Sequence, residues 1–232
     1  FYNILNTNIK YKKKVPNLKK LGISLRIAKN EKYDEKRDVL SHDWPVLLEK
    51  LGFLPIYIPN TLEDIEKFLS ESNINCILLS GGDDIGEFPE RDSCEKQIIT
   101  YAIKNDIPIF GVCRGMQILN EYFHGKIEKN NNSNHVKKNH QVKIVNNFLQ
   151  KYLENGKIIV NSFHNNIITK NNLSNELKPF AIFEDDQTIE GFVHEKLPIM
   201  GVMWHPERKS ESNNQDILKE FLSNKEFRKS II

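Results

Sequence analysis

Apolar residues in this chain fall into two textures that alternate along most of its length. Short unbroken runs such as "NCILLS" (75–80) and "IPIFGV" (107–112) have the length and branching of strands buried on both faces. Between them lie stretches with apolar positions three and four apart, the period of a helix with one buried side. Read in order, "LGISLRI" (21–27) predicts a strand, "RDVLSHDWPVLLEKLG" (37–52) a helix stopped by Gly52, and "FLPIYIP" (53–59) a strand. "TLEDIEKFLSES" (61–72) predicts a helix capped by Thr61 with acidic residues in its first turn. After the strand at 75–80 come a glycine loop, "GGDDIGEFPERD", and a helix, "SCEKQIITYAIKN" (93–105). The strand 107–112 follows, with a helix directly after Cys113.

Strands alternating with helices imply βαβ units. The expected class is therefore α/β, with a mostly parallel central sheet flanked by helices. Beyond Gly125 the texture changes. "EKNNNSN" reads as a polar loop, and "HQVKIV", "KIIVNSF", "PFAIFE", "TIEGFVH" and "PIMGVMW" read as short strands that add an antiparallel part. "NFLQKYLEN" reads as a helix. A last helix, "NNQDILKEFLSN" (213–224), carries Ile217, Leu218, Phe221 and Leu222 on one stripe. Residues 1–20 are polar, rich in lysine and broken by Pro16, so we expect a poorly ordered basic arm preceding a single domain over 21–232.

Charge and composition narrow the function without naming it. Thirty-three basic against thirty-one acidic residues give a net charge of +2, too small to point to nucleic acid or a membrane surface as partner. Cys76, Cys94 and Cys113 form an odd set without framework spacing, which fits a reducing, cytoplasmic setting. Neither a membrane-span-length run nor the apolar centre of a signal peptide is expected.

The chemistry concentrates in "GVCRGMQ". Gly111 and Gly115 flank Cys113 at a strand-to-helix corner, the form of a nucleophile elbow. An unpaired cysteine is ordinarily a small buried hydrophobe and needs no such glycines. At a helix N-terminus the dipole and free N–H groups favour thiolate. A nucleophilic thiol needs a base, and the base an orienting group. "PIMGVMWHPERKS" supplies both at the end of another strand, with His205 as base and Glu207 two residues on to fix its tautomer.

"GVCRGMQ" together with "WHPE" resembles the class I glutamine amidotransferase-like superfamily, a flavodoxin-like fold with a Cys-His-Glu triad, and the likeness runs from about Leu21 to the last helix. The resemblance implies catalytic roles for Cys113, His205 and Glu207. It also implies an oxyanion hole from the backbone N–H groups of Gly82, in "LLSGGDD", and Arg114. Within the superfamily, "RD…E" at residues 91–95, "NSFH" (161–164) and "H-x-V" (140–142) resemble the γ-glutamyl-γ-aminobutyrate hydrolase-like branch. That implies a stand-alone hydrolase cutting a γ-glutamyl amide through a thioester, with no cofactor and no obligate synthase partner. Gln117, His164 and Asn165 are expected at the substrate. Arg91 has two readings, a substrate carboxylate or an ion pair with Asp92 or Glu95. His124, His135 and His140 lack the spacing of a metal signature, and no metal is expected.

The stretch "EKYDEKRDVLSHDWPVLLEKLGFLPIYIPN" resembles a subgroup linked to bacterial capsule polysaccharide, whose substrate is γ-glutamyl-CDP-amidate. This would make the substrate nucleotide-linked, with Arg26, Arg37 and Trp44 as candidate contacts. The alternatives are a glutaminase subunit of a partnered amidotransferase and a γ-glutamyl-γ-aminobutyrate-type hydrolase of amine catabolism.

Overall fold

A computed structural model describes residues 18–130, 135–153, 156–208 and 214–232. Most of the expected basic arm lies outside the described residues; its last two positions, Lys19 and Lys20, already belong to the first strand. In chain order the elements begin β1 (Lys19–Ser24), β2 (Arg26–Asn30), β3 (Glu35–Val39), α1 (Asp43–Leu51), β4 (Phe53–Ile58) and α2 (Ile65–Ser72). Next come β5 (Cys76–Leu79), α3 (Pro89–Lys104), β6 (Ile109–Val112), α4 (Arg114–Tyr122), β7 (Glu128–Lys129), β8 (Val136–Ile144) and α5 (Asn147–Tyr152). The chain finishes with β9 (Lys157–Phe163), β10 (Asn166–Ile167), β11 (Leu177–Phe183), β12 (Thr188–His194), β13 (Ile199–Val202), α6 (Asn214–Ser223) and α7 (Lys225–Ile231).

One sheet organises the molecule, in the order β4-β1-β5-β6-β13-β12-β11-β8-β9. The pairs from β4 to β13 are parallel, and those from β13 to β9 are antiparallel. Helices cover both faces of the parallel part, so its central strands are apolar at every position. Alternate side chains go to opposite layers. Cys76 and Leu78 of β5, with Phe110 and Val112 of β6, join the layer holding α1, α6 and α7. Ile77, Leu79 and Ile109 join the layer under α2, α3 and α4. Cys76 and Cys94 are buried core residues whose thiols burial pushes up to about 12.

Four predicted boundaries differ from the observed ones. The single strand predicted at 21–27 is two, and the helix predicted from Arg37 begins at Asp43. Residues 35–39 instead pair antiparallel with β2 in a ribbon outside the main sheet. Its residues are mostly exposed, so no apolar alternation marks it. The second helix is capped by Asp64, whose carboxylate accepts from the Lys67 N–H at 2.8 Å, rather than by Thr61. Asp64 immediately precedes the buried Ile65, and a carboxylate complements the helix dipole better than a hydroxyl. The third helix starts at Pro89, a residue suited to a first turn because its missing N–H is not needed there. That extra turn places Arg91 and Asp92 on the helix. A further helix, α7, follows α6 after Asn224 caps it through the N–H groups of Glu226 and Phe227.

Candidate active site

The carboxyl ends of β5, β6 and β13 lie side by side and deliver the chemistry to one edge of the sheet, where open α/β sheets bind ligands. At the end of β6, Cys113 adopts φ 51° and ψ −106°, a conformation that non-glycine residues rarely hold. Its N–H donates to the Val202 carbonyl of β13 at 2.8 Å, and its own carbonyl accepts the first α4 bond from Gln117. The flanking glycines are required by close approach. A Cβ on Gly111 would lie 2.5 Å from the Gly115 carbonyl oxygen, and one on Gly115 would strike the Leu79 backbone. Strand and helix therefore pack backbone to backbone, and the corner between them turns the thiol out of the sheet.

His205 follows β13 and is held by a reciprocal clamp from β9. Its N–H donates to Asn161 Oδ1 at 2.9 Å, and Asn161 Nδ2 donates to its carbonyl at 2.8 Å. His205 Nδ1 lies 2.7 Å from Glu207 Oε1, which leaves Nε2 for the thiol. Burial works against ionising Cys113, but the facing, hydrogen-bonding His205 holds the thiol below its ordinary value. Burial likewise opposes a charged His205; the thiolate and Glu207 outweigh it and raise the imidazole to about 10. Each charge thus favours the other, the thiolate the imidazolium and the imidazolium the thiolate.

Beside this pair, Gly81 fits so tightly that a Cβ there would sit 2.9 Å from His205 Cε1. Gly82 has φ +96°, open to glycine and strained for others, and packs under Arg26. A buried ion network fixes the loop from below. Arg91 is fully buried and donates to Asp83 (2.9 Å), Glu95 (3.2 Å), and the carbonyls of Ser80 (2.9 Å) and Gly81 (3.1 Å). Arg114 pairs with Asp92 and Glu95, and Glu95 also accepts from Ser24 Oγ. The "RD…E" segment is thus the counter-charge that an arginine after the nucleophile demands.

A cavity of about 390 Å³ opens over the site. Cys113, His205, Glu207, Gly82, Arg114, Gln117, His164 and Asn165 all line it. Arg91 does not line it: of the two readings offered for it, the structure takes the ion pair, because four partners from inside the fold occupy its guanidinium. Arg26, Trp44, Phe163 and Arg208 form part of the wall, with the Arg208 guanidinium 4.0 Å from the Phe163 ring centre. Arg37 lies in the exposed ribbon, paired with Glu35. Asp84, Asn161 and Asn166 escaped the sequence reading. Asn166 Nδ2 donates to Asp84 Oδ1 at 2.9 Å, bridging two cavity walls that no local motif connects. His135 and His164 are brought together with Glu190, whereas His124 stands apart from them.

Among the described residues no helix is long and apolar enough to cross a membrane. Comparison with known proteins agrees with this geometry. The chain is 36% identical over 212 residues to the γ-glutamyl-CDP-amidate hydrolase of Campylobacter jejuni subsp. jejuni serotype O:2, covering 88% of this chain and 97% of that one. It is 30% identical over 181 residues to a glutamine-hydrolyzing GMP synthase component of Pyrococcus abyssi, covering 75% and 87% respectively. A Thermotoga maritima glutamine amidotransferase structure shares the fold, with a TM-score of 0.60 at 20% identity over 88% of this chain and 82% of that one. The profile of "Glutamine amidotransferase class-I" matches residues 15–225, and with the elbow thiol, its imidazole and its carboxylate in one cavity the chain belongs to that family.

Proposed function

We propose that this chain is a stand-alone C–N hydrolase that cleaves a γ-glutamyl amide and releases glutamate, with γ-glutamyl-CDP-amidate as its substrate. The observation that carries the reaction class is the elbow thiol facing an imidazole pinned by a carboxylate. The substrate rests on the 36% identity to the Campylobacter hydrolase across nearly the whole of both chains. Arg26 and Arg208 supply cations for phosphate and Phe163 supplies flat apolar surface for a base, while the Trp44 ring is buried in the core.

In the proposed reaction Cys113 Sγ attacks the γ-carbonyl carbon. The oxygen becomes an anion held by the N–H groups of Gly82 and Arg114. Arg114 opens α4, so its N–H has no acceptor within the helix. Each such donor contributes ~10²–10³ in rate in known cases. As the C–N bond breaks, His205 Nε2 gives its proton to the leaving nitrogen, which remains on the nucleotide phosphate. Water then attacks the thioester and passes a proton to His205. Glutamate leaves and the thiolate is restored. Glu207 stays ionised and keeps Nδ1 protonated. Gln117, His164 and Asn165 meet the glutamyl end.

The test is glutamate release by the lone protein on glutamine, γ-glutamyl-γ-aminobutyrate and γ-glutamyl-CDP-amidate. The nucleotide should be turned over by far the fastest, and Cys113→Ala should abolish release while retaining binding. Preference for the small amide would reassign the leaving group. Glutamine turnover that rises only when a synthase is added would replace the stand-alone hydrolase with a partnered glutaminase.

A further inference from the structure

Behind the wall of the cavity lies a cluster that reaches the hydrolytic site only through His164. His135 precedes β8, His164 follows β9, and Glu190 sits in β12. All three side chains are almost completely buried, with exposures of 0–1%. Their donor atoms, His135 Nδ1, His164 Nε2 and Glu190 Oε1, all lie within 4.8 Å of one another. Neither nitrogen nor the oxygen has a hydrogen-bond partner among the described residues.

The protons can be assigned from the outer ring nitrogens. His164 Nδ1 lies 2.9 Å from the Asn166 carbonyl, which only accepts, so Nδ1 carries hydrogen. His135 Nε2 lies 2.7 Å from Asp186 Oδ2, a carboxylate oxygen, so Nε2 carries hydrogen too. Unless each ring carries a second proton, Nδ1 of His135 and Nε2 of His164 then turn lone pairs on Glu190. Three acceptors converge with no donor between them, a costly arrangement in a buried place.

Two things could relieve it: a second proton on each ring, or a cation at the centre. The distances separate them. Both nitrogens stand 3.6 Å from Glu190 Oε1, beyond the range of a charge-assisted hydrogen bond. Two of the three donor separations, 3.6 Å each, are close to the edge of a tetrahedron around an ion bound at the usual zinc distances, and the third, within 4.8 Å, has to shorten only as the rings turn onto the ion. The outer contacts are those of metal-bound histidines, one ring backed by a carboxylate and the other by a backbone carbonyl. Nitrogen donors argue against calcium and magnesium, which take oxygen. His140 Nε2, 3.4 Å from Glu190 Oε2, flanks the carboxylate on its other oxygen.

We propose that His135, His164 and Glu190 bind a first-row divalent cation, zinc foremost, which ties β8, β9 and β12 together behind the active-site cavity. Through His164 the ion anchors the segment from Phe163 to Asn166, which lines the cavity opposite the nucleophile. Its place is structural. Zinc binding here does not depend on the substrate or on the hydrolase reading.

The experiment is elemental analysis of untagged protein dialysed against zinc and then against metal-free buffer, in the Cys113→Ala background as well as the wild type. Both should retain about one zinc per chain. X-ray absorption should show only nitrogen and oxygen neighbours, at about 2.0–2.2 Å. Glu190→Gln should lose the ion. Asp186→Asn, at a partly exposed position that folding tolerates, should bind zinc about 10–100-fold more weakly in competition with a chromophoric chelator. Wild-type protein that keeps no zinc would overturn the proposal. So would a sulfur neighbour near about 2.3 Å, or an Asp186→Asn affinity equal to wild type.

Discussion

Glu95 is the residue whose removal should reveal how far the site depends on what lies beneath it. It is fully buried and accepts from three donors: Ser24 Oγ at 2.8 Å, Arg91 Nε at 3.2 Å, and Arg114 Nη1. Glu95→Ala removes two hydrogen bonds from guanidinium groups and one from a hydroxyl. Each guanidinium keeps one other carboxylate, Asp83 for Arg91 and Asp92 for Arg114. The loss should therefore fall at the low end for a broken buried ion pair, about 3 kcal/mol. For a domain of this size that lowers Tm by roughly 6–12 °C. Urea denaturation of wild type, Glu95→Ala, Arg114→Ala and the double variant measures it, and the cycle should give non-additive losses. A loss below about 1 kcal/mol, or simple additivity, would show that the network is not the support described here.

Further outcomes concern the site itself. Because the folded thiol of Cys113 titrates below its ordinary value of 9.0 and His205 near 10, the thiolate–imidazolium pair exists between those two points. Below pH 9 iodoacetamide should therefore alkylate Cys113 faster than an ordinary thiol, slowing as pH falls through the lowered thiol value. His205→Asn removes the counter-charge, leaves burial less opposed and should move that midpoint upward; an unchanged midpoint would deny the pairing. Asn161→Ala frees the backbone of His205 and should lower kcat by about 10²-fold with little change in binding, since misplacement on the ångström scale costs that much; equal kcat would remove Asn161 from the machinery. Arg26→Ala should raise KM for γ-glutamyl-CDP-amidate roughly 10–100-fold, the worth of a hydrogen bond to a charged group, while sparing γ-glutamyl-γ-aminobutyrate. A proportionate rise for both substrates would place Arg26 away from the nucleotide.

What could be read from the chain depended on whether the signal was local. The strands β5, β6 and β13 announce themselves because burial on both faces makes them unbroken apolar runs, and the structure sorts their alternate residues into two core layers. The ribbon of β2 and β3 has solvent on most of its positions, so no periodicity separates it from the start of a helix. Cys113 and His205 stand in short motifs at strand ends, where glycine spacing and the following carboxylate carry the information. Asn161 opens the "NSFH" segment, but nothing local shows its role, which arises from two hydrogen bonds to a residue 44 positions away. Glu190 is similar, an acidic residue in a run of buried strand positions whose partners come from two other strands. Spacing among histidines could not find that cluster because its third member is a glutamate.

Arg114 shows why the two kinds of information had to meet. As a sequence position it follows the nucleophile, and its backbone N–H opens α4 beside Cys113. As a side chain it turns inward and meets Asp92 and Glu95 of α3, while Arg91 on the same helix reaches the carbonyls of Ser80 and Gly81. One ion network therefore joins the residue after the nucleophile to the glycine loop that faces it. The strained backbone of Cys113 persists because its surroundings leave it no relaxed alternative. The Val202 carbonyl holds its N–H, the Gly111 and Gly115 approach leaves no room to rotate, and Arg114 anchors the next residue. The arginine that follows Cys113 acts in the fold as a tie between the start of α4 and the glycine loop, the two segments whose N–H groups are proposed to hold the oxyanion.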